Sequence, residues 1–141
     1  MKGLLRVLLL AGCGFQPQHS ALAPDLPRTP ATAPGVEAVV LGIAQDGGVP
    51  HLGCQQPLCV RARRDPSASR RVASIGFVDR AAGRRFLIDA TPDFAAQVDA
   101  LGGIPDGILL THAHIGHYLG LAQLGREVLG AKRLPVYCTP S

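Results

Sequence analysis

The sequence predicts an α/β fold with a mixed sheet and helices packed on it. Short apolar, β-rich runs recur at residues 36–43, 72–78, 84–88, 108–110 and 134–138. Stretches with helix start and stop residues separate the later runs. Polar residues able to do chemistry gather where strands end and helices begin, the usual ligand position in such sheets.

Taken in order, residues 1–13 read as a targeting segment. Lys2 and Arg6 precede the apolar Val7-Leu8-Leu9-Leu10, and Leu10-Ala11-Gly12-Cys13 resembles a bacterial lipobox. Cys13 would then be lipidated and become the mature N-terminus. Ala21-Leu22-Ala23 offers an alternative cleavage site, and a disordered cytosolic N-terminus is the plain alternative. The first two readings predict export, to the periplasmic side or the surface of a bacterial cell. No segment approaches the roughly 20 apolar residues of a spanning helix, so the membrane would hold the chain through lipid alone. Residues 14–35 carry Pro17, Pro24, Pro27, Pro30 and Pro34 among small and polar residues. They cannot bury a core and read as an extended tether in which His19 is solvated.

The foldable part begins at Val36. Residues 36–43 form a strand that reaches the turn-prone Gln45-Asp46-Gly47-Gly48, followed by a long loop with His51, Cys54 and Cys59. Residues 72–78 and 84–88 are strands joined as a hairpin by Asp79-Arg80-Ala81-Ala82-Gly83. Thr91-Pro92-Asp93 predicts a helix start, Phe94, Val98 and Leu101 its apolar stripe, and Gly102-Gly103 its end. After the turn Pro105-Asp106-Gly107 comes the buried strand Ile108-Leu109-Leu110. A second helix is expected from about residue 118 to 129, with Tyr118, Leu121, Leu124 and Val128 on one face and Gly130 as its stop. Residues 134–138 form the last strand, where Cys138 is expected to be a small buried residue.

With 141 residues, 47% of them hydrophobic, the chain makes one domain at most. Its formal charge of +4 is modest and local. Arg61, Arg63, Arg64, Arg70 and Arg71 form a cluster read either as a solvated loop or as a docking patch for an acidic substrate or partner. Aromatic residues make up only 4% and do not interleave with the basic ones, which argues against nucleic acid.

The chemistry centres on Thr111-His112-Ala113-His114-Ile115-Gly116-His117, which holds three of the five histidines. In an extended chain His112 and His114 share a face, whereas on a helix they would diverge by about 200°. His117 would begin the next element and could fold back toward them. Neutral imidazoles that converge are good ligands for zinc or a similar divalent ion, and three protein ligands with one open position suit catalysis. The bland alternative is a polar loop whose histidines bond backbone and water. Asp89, at a strand end, reads either as a carboxylate orienting one imidazole or as a turn or cap residue, and Asp46, between a strand and Gly-Gly, either lines the same cleft or serves the turn alone.

Leu110-Thr111-His112-Ala113-His114-Ile115-Gly116-His117 resembles the Thr-His-x-His-x-Asp-His motif of the metallo-β-lactamase-fold hydrolases. The resemblance spans about residues 36–141 and implies the N-terminal half of an αββα sandwich. It carries His112 and His114 onto ligands of a first metal site and His117 onto a ligand of a second. The family's Asp falls on Gly116, which can neither bind a second ion nor orient a nucleophile, so the resemblance implies a zinc site more firmly than a two-zinc hydrolase. The remaining ligands of the family come from its second half. A missing C-terminal part or a second chain is therefore expected to complete the fold.

A narrower resemblance joins residues 40–50 and the cysteine loop to the pyrroloquinoline quinone biosynthesis protein B family, whose loop often carries Cys-x-Cys-x-x-Cys. Cys54 and Cys59 match its first and third cysteines and Gln56 replaces the middle one. A disulfide, a structural zinc with His51 as a third ligand, and free thiols all remain open. The functional expectation is a zinc-dependent hydrolase of a small-molecule substrate. The alternatives are an exported metal- or quinone-cofactor-binding protein without turnover, or a truncated product that does nothing.

Overall fold

In the computed structural model, which describes residues 35–140, β1 (Val36–Gly42) alternates between a covered and an open face, and its last apolar residue, Leu41, enters the core. Cys13, the 1–13 segment and nearly all of the tether lie outside the described residues. The other strands are β2 (Ser74–Asp79), β3 (Arg84–Ile88), β4 (Gly107–Leu109) and β5 (Val136–Tyr137), and the five lie side by side in chain order. The pairs β1–β2 and β2–β3 are antiparallel, the second joined by a short hairpin turn, while β3–β4 and β4–β5 are parallel. The expected α/β architecture with a mixed sheet is the observed one.

Three helices accompany the sheet: α1 (Pro57–Arg64), α2 (Phe94–Leu101) and the single turn α3 (Ile115–Tyr118). Helix α2 supplies the β3–β4 crossover. Its Phe94, Val98 and Leu101 meet Leu41, Val78, Leu87 and Ile108 of the sheet in one core. Leu87 and Ile108 are wholly buried, and burial of each such side chain stabilises by about 1.5–3 kcal/mol. Gly76 permits this packing, since a Cβ there would meet Leu101 Cδ1 inside van der Waals contact. Gly102, at φ 85°, ends α2 in the left-handed conformation that glycine adopts without strain. The opposite face, with Val40, Ile75, Leu109 and Tyr137, is exposed among the described residues.

Four expectations are corrected. Residues 57–64 are helical rather than loop, with Pro57 in the first turn and Arg61, Arg63 and Arg64 in the last, where cations suit the helix dipole. The arginines are thus not simply a solvated loop: Arg63 donates to the carbonyls of Cys54 (2.6 Å) and His51 (2.8 Å), fastening that segment to α1. Helix α2 starts at Phe94, and the Thr91 hydroxyl accepts from Asp93 N while donating to buried Gln97 Oε1. In place of a long helix over 118–129, α3 gives way to a 3-10 segment, Leu119–Leu124. Gly120 presses against Thr91 O and Ala90 there, too close for a side chain, so the contact with the core overrides helical periodicity. Finally, Cys138 lies beyond the two-residue β5 and is exposed.

Candidate metal centre

Strand β3 ends at Asp89, whose backbone takes a positive φ of 65°, a conformation Asp tolerates better than bulkier residues. The turn keeps Asp89 N on Leu109 O (2.8 Å) and brings Ala90 N to His117 O (2.9 Å). The end of β3, the end of β4 and α3 are therefore tied together by backbone bonds before any side chain acts. The Asp89 carboxylate, 6% exposed, accepts from Thr111 N (2.8 Å), Thr111 Oγ1 (2.9 and 3.0 Å) and His117 Nδ1 (2.8 Å). It is neither a helix cap nor a turn bond. It holds the first residue of the histidine loop and the third histidine at once.

The hydrogen-bond inventory then assigns the imidazole protons. The single Thr111 hydroxyl proton goes to the acceptor-only carboxylate, so Thr111 Oγ1 accepts from His112 Nδ1 at 2.9 Å. That leaves a lone pair on His112 Nε2, which faces His114 Nδ1 at 3.0 Å. The His112 ring centroid lies 4.5 Å from that of His114 and 4.1 Å from that of His117. The three expected side chains are thus brought together, His112 and His114 exposed and His117 only 14% exposed.

One residue of the centre was not singled out from sequence as a ligand. Asp46 Oδ1 lies 3.2 Å from His117 Nε2, and its Oδ2 lies 3.9 Å from His114 Nδ1. Its turn is anchored to the segment before β2: Ile43 N and Ala44 N donate to Arg71 O, Ala73 N to Ala44 O, and Val49 and Arg70 exchange two bonds. That segment is held in turn by α2, since Asp93 Oδ2 accepts from Val72 N and Gln97 Nε2 donates to Val72 O, both at 2.8 Å. With Nδ1–H committed to Asp89, the neutral His117 ring turns its Nε2 lone pair to the Asp46 carboxylate, and a proton or a metal ion between them satisfies both. Burial lowers the His117 pKa, but the hydrogen bond and charge of Asp89, then those of Asp46, outweigh it and hold the imidazole above its ordinary value.

Ligand atoms about 2.0–2.1 Å from a tetrahedral zinc lie about 3.3 Å from one another. The His112–His114 and His117–Asp46 pairs, at 3.0 and 3.2 Å, are close to that spacing, and imidazole with carboxylate suits zinc and its neighbours. The donor set fits such an ion in chemistry and pairwise spacing. Among the described residues no three of these side chains are already drawn around a common point.

Among the described residues, no side-chain hydrogen bond joins the other sequence candidates to this centre. Cys54 and Cys59 are free thiols, with His51 N donating to Cys59 Sγ at 3.4 Å. The Cys54 thiol and that N–H together lower the Cys59 pKa. The His51 ring lies over Gly47. Tyr118, next to His117, is 40% exposed rather than core. A cleft of about 660 Å³ shares the Gly47–Pro50 segment and is lined by Arg70, Arg71 and Asp93, but by none of the histidines.

The Beta-lactamase superfamily domain model matches residues 84–141. Over 107 residues the chain is 34% identical to an octanoyltransferase of Porphyromonas gingivalis, covering 72% of this chain and 20% of that protein. Coenzyme PQQ synthesis protein B of Methylobacterium radiotolerans is 32% identical over 100 residues, 63% of this chain and 33% of its own length. Among solved structures, a diphosphatase from the PhnP family superposes with a TM-score of 0.56 at 34% identity, covering 72% of this chain and 41% of that one. The Zn(2+)-bound PqqB from Methylobacterium extorquens gives a TM-score of 0.60 at 30% identity, covering 73% and 37%. The chain thus spans between a fifth and about two fifths of the length of these relatives.

Proposed function

Because the chain is of the metallo-β-lactamase-fold superfamily, with similarity to coenzyme PQQ synthesis protein B, we propose that it contributes the histidine half of a metal-dependent hydrolase centre. The observation that carries this is the buried Asp89 carboxylate, which fixes Thr111 and His117 together and so sets the histidine loop. His112, His114 and His117 would hold the ion. A bound divalent ion supplies Lewis acidity and a water that is nucleophilic near neutral pH. The protein's own part is orientation: Asp89 keeps His117 in the Nδ1–H tautomer with Nε2 free for the ion, and Thr111 does the same for His112. Arg70 and Arg71 beside the neighbouring cleft favour an anionic small-molecule substrate, and the diphosphatase likeness supports a phosphoester.

The test is zinc content of the 141-residue protein, together with hydrolysis of a chromogenic phosphodiester when that protein is combined with the part of the fold that supplies the remaining ligands. Both are expected in the wild type and neither in a His112→Ala/His114→Ala double variant. Turnover that survives the double substitution would refute the assignment.

A second reading, a metal- or quinone-cofactor binder without turnover, is favoured by the likeness to PQQ synthesis protein B and by glycine at position 116. Zinc retention without hydrolysis, with a thermal midpoint raised by pyrroloquinoline quinone, would select it. For either reading we place the protein outside the cytoplasm, anchored through Cys13, on the strength of the lipobox-like Leu10-Ala11-Gly12-Cys13. Radiolabelled palmitate should enter the wild type and not a Cys13→Ser variant, and label in both would remove Cys13 as the site.

A further inference from the structure

We propose that Asp46 is the carboxylate ligand of the metal centre, supplied by the β1 turn into the space that a side chain at position 116 would occupy. The inference rests on the metal-binding reading above and adds a residue to it.

Three observations support the assignment. First, an ideal Cβ built on Gly116 would lie 2.5 Å from both Cα and Cβ of Asp46 and 2.8 Å from its Cγ. The Asp46 turn therefore packs directly on α3, and only glycine at 116 admits it. Second, the Asp46 side chain reaches between two histidines, with Oδ1 at 3.2 Å from His117 Nε2 and Oδ2 at 3.9 Å from His114 Nδ1. It lies 71 residues from His117 in sequence, so the contact is made by the fold. Third, among the described residues the Asp46 carboxylate makes no hydrogen bond to its own turn, which is closed by backbone alone through Gly48 N and Gln45 O at 2.7 Å. A turn aspartate bonds its own backbone, whereas this one directs Oδ1 at the His117 imidazole.

The chemistry agrees with the geometry. His117 Nδ1 is held by Asp89, so Nε2 is the nitrogen left for a ligand role, and a carboxylate beside it is a second hard donor of opposite charge to the ion. Asp46 is 42% exposed on its side chain, so an ion reaches it from solvent. Its backbone is held by the paired bonds to residues 70–73, which fixes the donor before any ion arrives.

The experiment measures zinc affinity of the 141-residue protein by competition with a chromophoric chelator, and the visible absorption of its cobalt(II) form. Asp46→Asn keeps the shape and removes the charge. It should weaken zinc binding at least about tenfold and change the cobalt(II) band. Gly116→Ala should produce a comparable loss by displacing the turn, and Asp46→Ala/Gly116→Ala should be no weaker than either single variant, because both act on one contact. Wild-type affinity with an unchanged cobalt(II) band in Asp46→Asn would overturn the assignment while leaving the histidine site standing. Weaker binding with an unchanged band would also overturn it, reducing Asp46 to a residue that positions His117. A wild type that binds no zinc would bring down the metal reading itself. Should Gly116→Ala fail to fold, Asp46→Asn decides the matter alone.

Discussion

Asp89 concentrates much of the site in one buried side chain, because three donors from two later segments converge on it. Asp89→Asn keeps its volume but removes the charge and one acceptor position, leaving a donor poorly matched. A loss of about 1–3 kcal/mol is expected in urea unfolding, along with a fall in zinc affinity of about 10–100-fold. A variant as stable and as tight as wild type would mean that Asp89 only occupies space. His117 adds a pH dependence. Burial opposes its charge, but Asp89 and Asp46 raise its pKa above the ordinary value in the folded protein. Its contribution to stability of the metal-free protein is therefore full below about pH 6.5 and lost as pH rises through the higher folded value. Urea midpoints measured with chelator from pH 5.5 to 8.5 should show that loss in wild type and a flatter profile in His117→Asn. Zinc and the proton compete for the same nitrogen, so zinc affinity should rise over the same window.

At the scale of elements, the site depends on a relay from α2 through the segment before β2 to the Asp46 turn. Gln97 is its buried link, bonding Thr91 Oγ1 and Val72 O with no exposure to water. Gln97→Leu, similar in volume, orphans both partners and should cost about 1–3 kcal/mol. If it is neutral in thermal and urea denaturation, the relay contributes no stability. The same relay explains what the sequence showed and what it hid. The hairpin and the histidine loop were legible because each is written locally, in a turn, an alternation or a two-residue spacing. Asp89 was legible as a strand-end acid near the motif. Asp46 was legible only as a residue that could line the cleft, since turn chemistry explains an acid beside Gly-Gly equally well and its partner lies 71 positions away. Helix α1 was hidden by its shortness and by the small size of its buried residues, Cys59 and Ala62, although Pro57 and the terminal arginines mark its ends. The long helix expected after His117 failed at Gly120, where packing on Thr91 and Phe94 leaves room only for a tighter segment.

Among the described residues, one sheet face is covered by α2 and the other carries Val40, Ile75, Leu109 and Tyr137 in the open. The histidines and both aspartates sit where the strands of the covered sheet end, as ligand sites in such sheets do. The likeness to metallo-β-lactamase-fold proteins is therefore borne by backbone topology as well as by the His112–His117 motif.

The most direct measurement is the metal content of the dialysed 141-residue protein after exposure to Zn²⁺, read by mass spectrometry beside the His112→Ala/His114→Ala variant. Zinc kept by the wild type and absent from the variant is the predicted result. Zinc absent from both, or retained equally by both, would contradict the account.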